Sequence, residues 1–429
     1  MNPTIKARIE SIRRGEVPEG YKRTKAGIMP VPWCKEKNYQ AKDLFVSVSD
    51  KKHGGALEVL SATQDRGIVP RRLVDIDIKY DGSNLGTYKK VDKGDFVISL
   101  RSFQGGIEYS DYVGIVSPAY TVVRSKQKIV AGYYKAYFKT EDFIKRLNIG
   151  TYGIRDGKQV SFDDFGDMVL HYPPVNEQEK IAEILAGQDR VIALKEKLLA
   201  EKQKQKKYLM QQLLTGKKRL PGFSGKRKNF RLFDLCQIIA DGDWIESKDQ
   251  SDRGVRLIQT GNIGIGQFLN KFNKAHYISE ETFTRLSCCE VFPGDVLLSR
   301  LPDPIGRACI IPKLNCRMIT AVDCTILRFK KEVFADLFVY YSCLDAWQNK
   351  MVLLSGGSTR KRITRKEIEN AVIALPIDEK EQITIAEILS TADKEIELLK
   401  KDIEQEKLKK KSLMQLLLTG IVRVDELVS

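Results

Sequence analysis

Two stretches of this chain carry apolar residues in alternating steps of four and three. The first register runs through Ile181, Leu185, Ile192, Leu199, Leu209 and Leu213. The second runs through Ile385, Leu389, Ile396, Leu399, Ile403, Leu413 and Leu417. Sustained 4-3 spacing marks a coiled-coil seam, so each stretch predicts a long helix with one apolar edge. Polar residues interrupt both seams: Gln188, Lys195, Lys202 and Lys206 in the first, Glu406 and Lys410 in the second. These interruptions suggest a partner surface or a water-facing gap. Each helix follows a proline entry, Pro173-Pro174 and Pro376, and each ends in Thr-Gly. Glycine suits the left-handed residue that closes a helix. From Glu177 to Leu214 the first helix would run roughly 57 Å at 1.5 Å per residue. An amphipathic helix of that length is poorly placed to stand free. The expected partner of each copy is the other, running antiparallel, with a globular unit at either end.

The pattern is a duplication. IAEIL occurs at Ile181–Leu185 and at Ile385–Leu389; LMQQLLTG from Leu209 returns as LMQLLLTG from Leu413, 204 positions later in both cases. GDFVIS from Gly94 matches GDVLLS from Gly294, and TVVR from Thr121 matches TILR from Thr325. Each copy then passes a tyrosine pair (Tyr133-Tyr134, Tyr340-Tyr341) and a basic, Gly-rich turn before its helix. A fixed offset of this size means tandem structural units. Between the helices, short β-branched runs alternate with Gly, Pro and Asp turns: Asp95–Leu100, Tyr120–Arg124, Val255–Gln259, Val296–Ser299 and Ala308–Ile311. Short helical patterns lie at Glu141–Leu147 and Lys331–Leu344. The expected architecture is α+β: two globular domains separated by two long antiparallel coiled-coil helices in a pseudo-twofold tandem repeat. The boundaries read 1–173 and 217–375 for the domains, 174–216 and 376–420 for the helices, and 421–429 for a tail.

Composition narrows the partner. Basic residues number 72 against 56 acidic, a net charge of +16. Such an excess favours a polyanion, because each cation set against a phosphate releases condensed counterions. No stretch of eighteen apolar residues suggests a membrane span, and the charged N-terminal sequence lacks the apolar run of a secretory signal. Eight cysteines without a C-x2-C pair read as reduced thiols of a cytoplasmic protein, not as a metal site.

No engine is evident. The chain has no G-x-x-x-x-G-K-[ST] loop, no H-E-x-x-H and no G-x-S-x-G. Tyr172-Pro173-Pro174-Val175 lacks the acid or amide with which an amino-methyltransferase loop holds the target amine. Polar and basic side chains on turns are present instead, of the kinds that fork onto guanine or adenine edges or grip phosphates. In the first domain these are Arg71, Arg72, Arg101, Ser102, Gln104 and Arg155. In the second they are Arg256, Gln259, Asn262, Arg300, Arg307, Thr359, Arg360, Lys361 and Arg362.

Several motifs together resemble the specificity subunit of type I restriction–modification systems. They are P-x2-E-Q-x2-I-A-x-I-L at Pro174–Leu185, P-x4-E-Q-x2-I-A-x-I-L at Pro376–Leu389, and L-L-T-G at Leu213–Gly216 and Leu417–Gly420. FVISLRSFQGGIEY from Phe96, GIVSPAY from Gly114 and RLIQTGNI from Arg256 add to them. The two extra residues between Pro376 and Glu381 depart from the first copy. The resemblance implies two target-recognition domains, each reading half of a split, asymmetric target in double-stranded DNA. It implies docking of two methyltransferase subunits and, in the full assembly, two restriction and translocation subunits. S-adenosylmethionine, ATP and magnesium would belong to those partners, with no cofactor, metal or catalytic residue in this chain. The competing readings are a self-contained DNA methyltransferase and a sequence-specific DNA-binding regulator.

Overall fold

A computed structural model describes residues 3–34, 38–74, 82–151, 160–357 and 361–426. The chain forms two compact units: Met1–Glu196 with Asp402–Ser429, and Lys197–Lys401. The first long helix, Val175–Thr215, and the second, Glu379–Leu418, are each continuous. Each therefore contributes one part to either unit. The second helix starts at Glu379 because Pro376 ends the strand Val372–Pro376, and the two extra residues lie in the crossing.

In the first unit a four-stranded antiparallel sheet has the order Phe45–Val48, Thr121–Ser125, Phe96–Ile98, Glu108–Tyr109. Strand side chains alternate between faces. Phe96, Ile98 and Val123 therefore enter a core with Tyr133, Tyr134, Tyr137, Phe138 and Phe165, while Val97 and Val122 point the other way. The aromatic core also takes in Ile181 and Leu185 of the first long helix and Leu417 and Leu418 of the second. The opposite face is covered by Leu60, Ile68, Val91 and Val116. These come from two small sheets, Leu60–Thr63 with Gly67–Pro70 and Lys89–Val91 with Gly114–Val116.

The second unit repeats the first sheet with the order Cys236–Asp241, Cys324–Phe329, Val296–Ser299, Ala308–Ile310. Val296 and Leu298 face a core shared with Met210, Leu213, Ile385 and Leu389 of the long helices; Leu297 and Ile326 face away. What lies behind differs. A five-stranded sheet stands there, ordered Gln250–Ser251, His276–Ile278, Val255–Ile258, Met318–Thr320, Glu290–Val291. All four residues of Val255–Ile258 are buried, the pattern of a strand covered on both faces.

The long helices pair antiparallel inside each unit. In the first unit Lys195 reaches Asp402 and Glu406 at 2.8 and 2.7 Å, and Lys410 reaches Asp189 at 2.6 Å. In the second, Lys202 reaches Glu395 at 2.8 Å and Lys206 reaches Asp393 at 2.5 Å. Gln188 donates to a Glu406 carboxylate oxygen at 2.7 Å. The polar seam positions are thus cross-helix rungs, and neither a gap nor a partner surface is needed to explain them. They pair because each lysine stem covers apolar seam while its ammonium meets an acid at the edge. Ile181, Leu185, Ile192, Leu213, Ile385, Leu389, Ile396, Ile403 and Leu417 of the seam are buried, whereas Leu199, Leu209, Leu399 and Leu413 are half-buried.

The repeated motifs resolve into contacts. Arg423, three residues past Gly420, grips Glu177 with two bonds of 2.5 and 2.7 Å. Arg219, three residues past Gly216, grips Glu381 in the same way, at 2.8 and 2.5 Å. Both glycines have left-handed φ, +72° and +73°, which turns the chain after each helix toward the start of the other. The following glutamine ties the helix to its entry: Gln178 donates to the Pro173 carbonyl at 2.8 Å and Gln382 to the Pro376 carbonyl at 2.6 Å. The G-D and T-x-x-R motifs meet likewise. Arg124 forks onto Asp95 with two bonds of 2.7 Å, and Arg328 forks onto Asp295 at 2.8 and 2.7 Å.

Candidate nucleic-acid interface

In the second domain three loops meet at one end of the sheets. Arg307, 7% exposed, joins two of them through its guanidinium. Nε donates to the Ile263 carbonyl at 2.7 Å and Nη2 to Thr260 at 3.0 Å; Nη1 donates to Leu301 and Pro304 at 3.0 and 2.9 Å. Arg300, also buried, ties in the third loop by donating to the Ile363 carbonyl at 2.9 Å while pairing with Asp241 at 2.8 Å. Arg362 reaches the Val322 carbonyl and Asp323, both at 3.1 Å.

Several of the sequence candidates bond within their own domain. Arg307 donates to four backbone carbonyls, and Arg300 to the Ile363 carbonyl and Asp241, so both brace loops. Arg256 is buried on its strand and donates to Asn270 Oδ1 at 2.7 Å. Asn262 accepts from the Gln259 amide at 3.0 Å and donates to the Leu269 carbonyl at 3.0 Å, a self-bonded turn. Ser102 of the first domain is buried, and its Oγ accepts from the Ser99 amide at 2.8 Å. For Arg307, Asn262 and Ser102 the backbone polar groups of a tight turn need partners, and a nearby polar side chain supplies them.

The remaining candidates face outward to different degrees. Gln259 and Arg362 are half-buried and Lys361 is exposed, all on the braced end of the second domain. In the first domain Arg101, just before the short helix Ser102–Gly105, and Gln104, within it, are exposed. Arg72 is exposed and paired with Glu58 at 2.6 Å. Arg71 is half-buried and donates to Ser61 Oγ at 3.3 Å. Burial raises the Tyr120 phenol above its ordinary pKa, and the charges of Arg71 and Arg101 oppose the rise. Both arginines therefore lie near one half-buried tyrosine, although thirty residues separate them in the chain. Arg155, Thr359 and Arg360 lie outside the described residues.

The residues that sequence reading missed are the clamps, Arg219 with Glu381 and Arg423 with Glu177, and the rungs across the helix pair. Their signal was present: each arginine follows its L-L-T-G by the same three residues. Among the described residues no three His, Cys, Asp or Glu side chains are grouped to hold a metal ion. Burial pushes Cys236, Cys309 and Cys324 up to about 12, so their thiolates are scarce at neutral pH. No helix among the described residues is long and apolar enough to cross a membrane.

Comparisons with known proteins agree with this layout. A family model described as the type I restriction modification DNA specificity domain matches residues 32–203 and again 225–407. The MjaVIII type I restriction enzyme specificity subunit of Methanocaldococcus jannaschii is 26% identical, over 79% of this chain and 81% of its own length. The putative MjaX specificity subunit of the same organism is 26% identical, over 95% and 97%. Among solved structures, a chain from a study of complex assembly and conformational transition in the type I R-M system superposes with a TM-score of 0.60. It is 16% identical and covers 95% of this chain and all of that one. The HsdS subunit of Thermoanaerobacter tengcongensis superposes with a TM-score of 0.51 at 16% identity, covering 95% and 98%. At these identities the superpositions speak to the fold.

Proposed function

From the premise that the chain belongs to the type I restriction modification DNA specificity family and carries two of its domains, we propose that it reads a bipartite DNA target for a modification complex and makes no bonds itself. Each domain reads one half-site in double-stranded DNA, and the long helices set the spacing between half-sites. The observation that carries this is selective duplication. The sheet, the Asp–Arg fork and the Glu–Arg clamp recur in both units, while the outer layer is two two-stranded sheets in one domain and a five-stranded sheet in the other. Two different words on one scaffold require that division.

Partners supply the chemistry. Leu194 and Leu398 stand 204 positions apart and are each 66% exposed, with Val191, Leu198 and Leu408 also exposed on the helices. Equivalent apolar spots in both units suit two copies of one partner, a methyltransferase subunit. S-adenosylmethionine sits on that subunit; ATP and magnesium sit on restriction and translocation subunits where those join. The protein works in the cytoplasm, beside the chromosome.

The test is to express the chain with its methyltransferase partner and map methylated bases across a host genome. A split motif with a fixed gap is expected; a contiguous motif, or methylation by this chain alone, overturns the reading. Removing four residues from each long helix shortens it by about 6 Å, roughly two base-pair rises. The gap should change while both half-site words stay the same.

A further inference from the structure

The loop between the strands Val255–Ile258 and His276–Ile278 has an unusually firm stem. Leu269 N donates to the Asn262 carbonyl at 2.8 Å, and Asn262 Nδ2 returns a bond to the Leu269 carbonyl at 3.0 Å. Arg256, buried behind them, holds Asn270 Oδ1 at 2.7 Å. Arg307 holds the carbonyls of Thr260 and Ile263, and Ile263 and Phe268 plug the stem into the core between the two sheets. Past these pins the chain makes one 3-10 turn, Phe272–Lys274. All five side chains from 270 to 274 are exposed, and Phe272 is 70% exposed.

Rigidity spent on presenting an unburied phenylalanine calls for an explanation, because a buried ring would stabilise the domain instead. The neighbours supply one. Lys271 and Lys274 flank the ring, Asn273 lies between, and His276 follows, all exposed. Lys271 Nζ stands over Gly261, where an added Cβ would come within 3.4 Å of it. The tip and the Gln259–Asn262 turn therefore share a face. Trp244 is about as exposed, but it sits between Asp243 and Glu246 and donates to Glu246, a setting that repels phosphate. Cations on both sides of an aromatic tip match a nucleic-acid backbone bracketing a base or sugar.

We propose that the 270–274 tip is the DNA-contacting finger of the second domain, with Phe272 packed against a base or sugar of that half-site and Lys271 and Lys274 on flanking phosphates. The proposal rests on the reading of this chain as a DNA specificity subunit. Arg256, Asn262 and Arg307 then act as positioning residues that aim the tip.

The experiment uses the full chain assembled with its methyltransferase partner and a duplex carrying the mapped target, followed by fluorescence anisotropy. Phe272→Ala should weaken target binding about tenfold or more and leave binding to mixed-sequence DNA within about twofold. Lys271→Ala and Lys274→Ala should weaken both and each lower the salt slope by about 1. In methylation maps, the relaxed positions of Phe272→Ala should fall in one half of the motif only. Unchanged target affinity in Phe272→Ala, with a wild-type complex that still discriminates, overturns the finger and leaves DNA reading intact. Loss of methyltransferase association in Phe272→Ala also overturns it, in favour of a protein contact. A wild-type complex that does not discriminate at all removes the underlying reading. Unchanged thermal melting of Phe272→Ala separates these outcomes from misfolding.

Discussion

The first domain covers the outer face of its main sheet with two two-stranded sheets, Leu60–Thr63 with Gly67–Pro70 and Lys89–Val91 with Gly114–Val116. The second covers the equivalent face with a five-stranded sheet centred on Val255–Ile258. Toward the helices the two domains share the Glu–Arg clamp, the Gln–Pro tie and the Asp–Arg fork. Their cores differ in content, aromatic in the first and largely aliphatic in the second, yet each receives the same helix positions, Ile181 and Leu185 or Ile385 and Leu389. Evolution of a recognition surface is tolerable where it faces solvent, since a loop change there costs little unless it orphans a buried group. A change at the clamp would strand a buried carboxylate, and that penalty keeps the inner layers alike.

The two clamps offer the strongest test of that symmetry. Glu177 and Glu381 are both buried, and removing either partner of a buried ion pair costs about 3–5 kcal/mol. The lower end applies here, because each arginine keeps about a quarter of its side chain in water. Arg423→Ala and Arg219→Ala should each destabilise their own unit by about 3 kcal/mol, read by hydrogen exchange resolved to each unit. Glu177→Ala should cost more than Glu381→Ala, because Trp33 Nε1 also donates to Glu177, at 2.9 Å. Equal costs would remove that distinction between the units.

Arg307→Ala sharpens the difference between the outer layers. It takes a donor from four backbone carbonyls in the second domain, of which Thr260 and Leu301 keep another, and should cost about 2–3 kcal/mol. Amide exchange should rise in residues 259–263 and 301–306 while the first unit is unaffected. The rungs come next. Lys206 with Asp393 and Lys410 with Asp189 are 204-related pairs at the helix edges, so Lys206→Met and Lys410→Met should each change stability by less than about 1 kcal/mol. A loss of several kcal/mol in one alone, seen in urea unfolding, would break the symmetry.

The smallest effect is a pH dependence confined to the first unit. His171 is buried, its ring nitrogens facing the carbonyls of Leu418 at 2.8 Å and Ala26 at 3.1 Å. Burial holds its pKa below the ordinary value, against the pull of the Leu418 carbonyl. Protonation therefore favours the unfolded chain. The first unit keeps its full stability above about pH 6.5 and loses part of it as pH falls from there toward the depressed pKa. The second unit has no counterpart of His171 and serves as the reference. Melting at pH 7 and pH 5 checks this, and His171→Gln should flatten the slope.

The sequence by itself determined the duplication, the two helices and their antiparallel pairing, because a 3.5-residue apolar period and a repeat offset are properties of the chain order. It also exposed the strands Val255–Ile258 and Val296–Ser299 as apolar runs between turn residues. Which polar residues look outward was decided only by the tertiary structure. Arg307 has the chemistry of a base reader, and nothing local distinguishes it from Lys361 or Gln259. Its role follows from the carbonyls of Thr260 and Ile263, which long-range packing brings beside it, and a buried donor must take the nearest acceptor. The same reason hid Glu177 and Glu381, whose partners Arg423 and Arg219 lie 246 and 162 residues away along the chain.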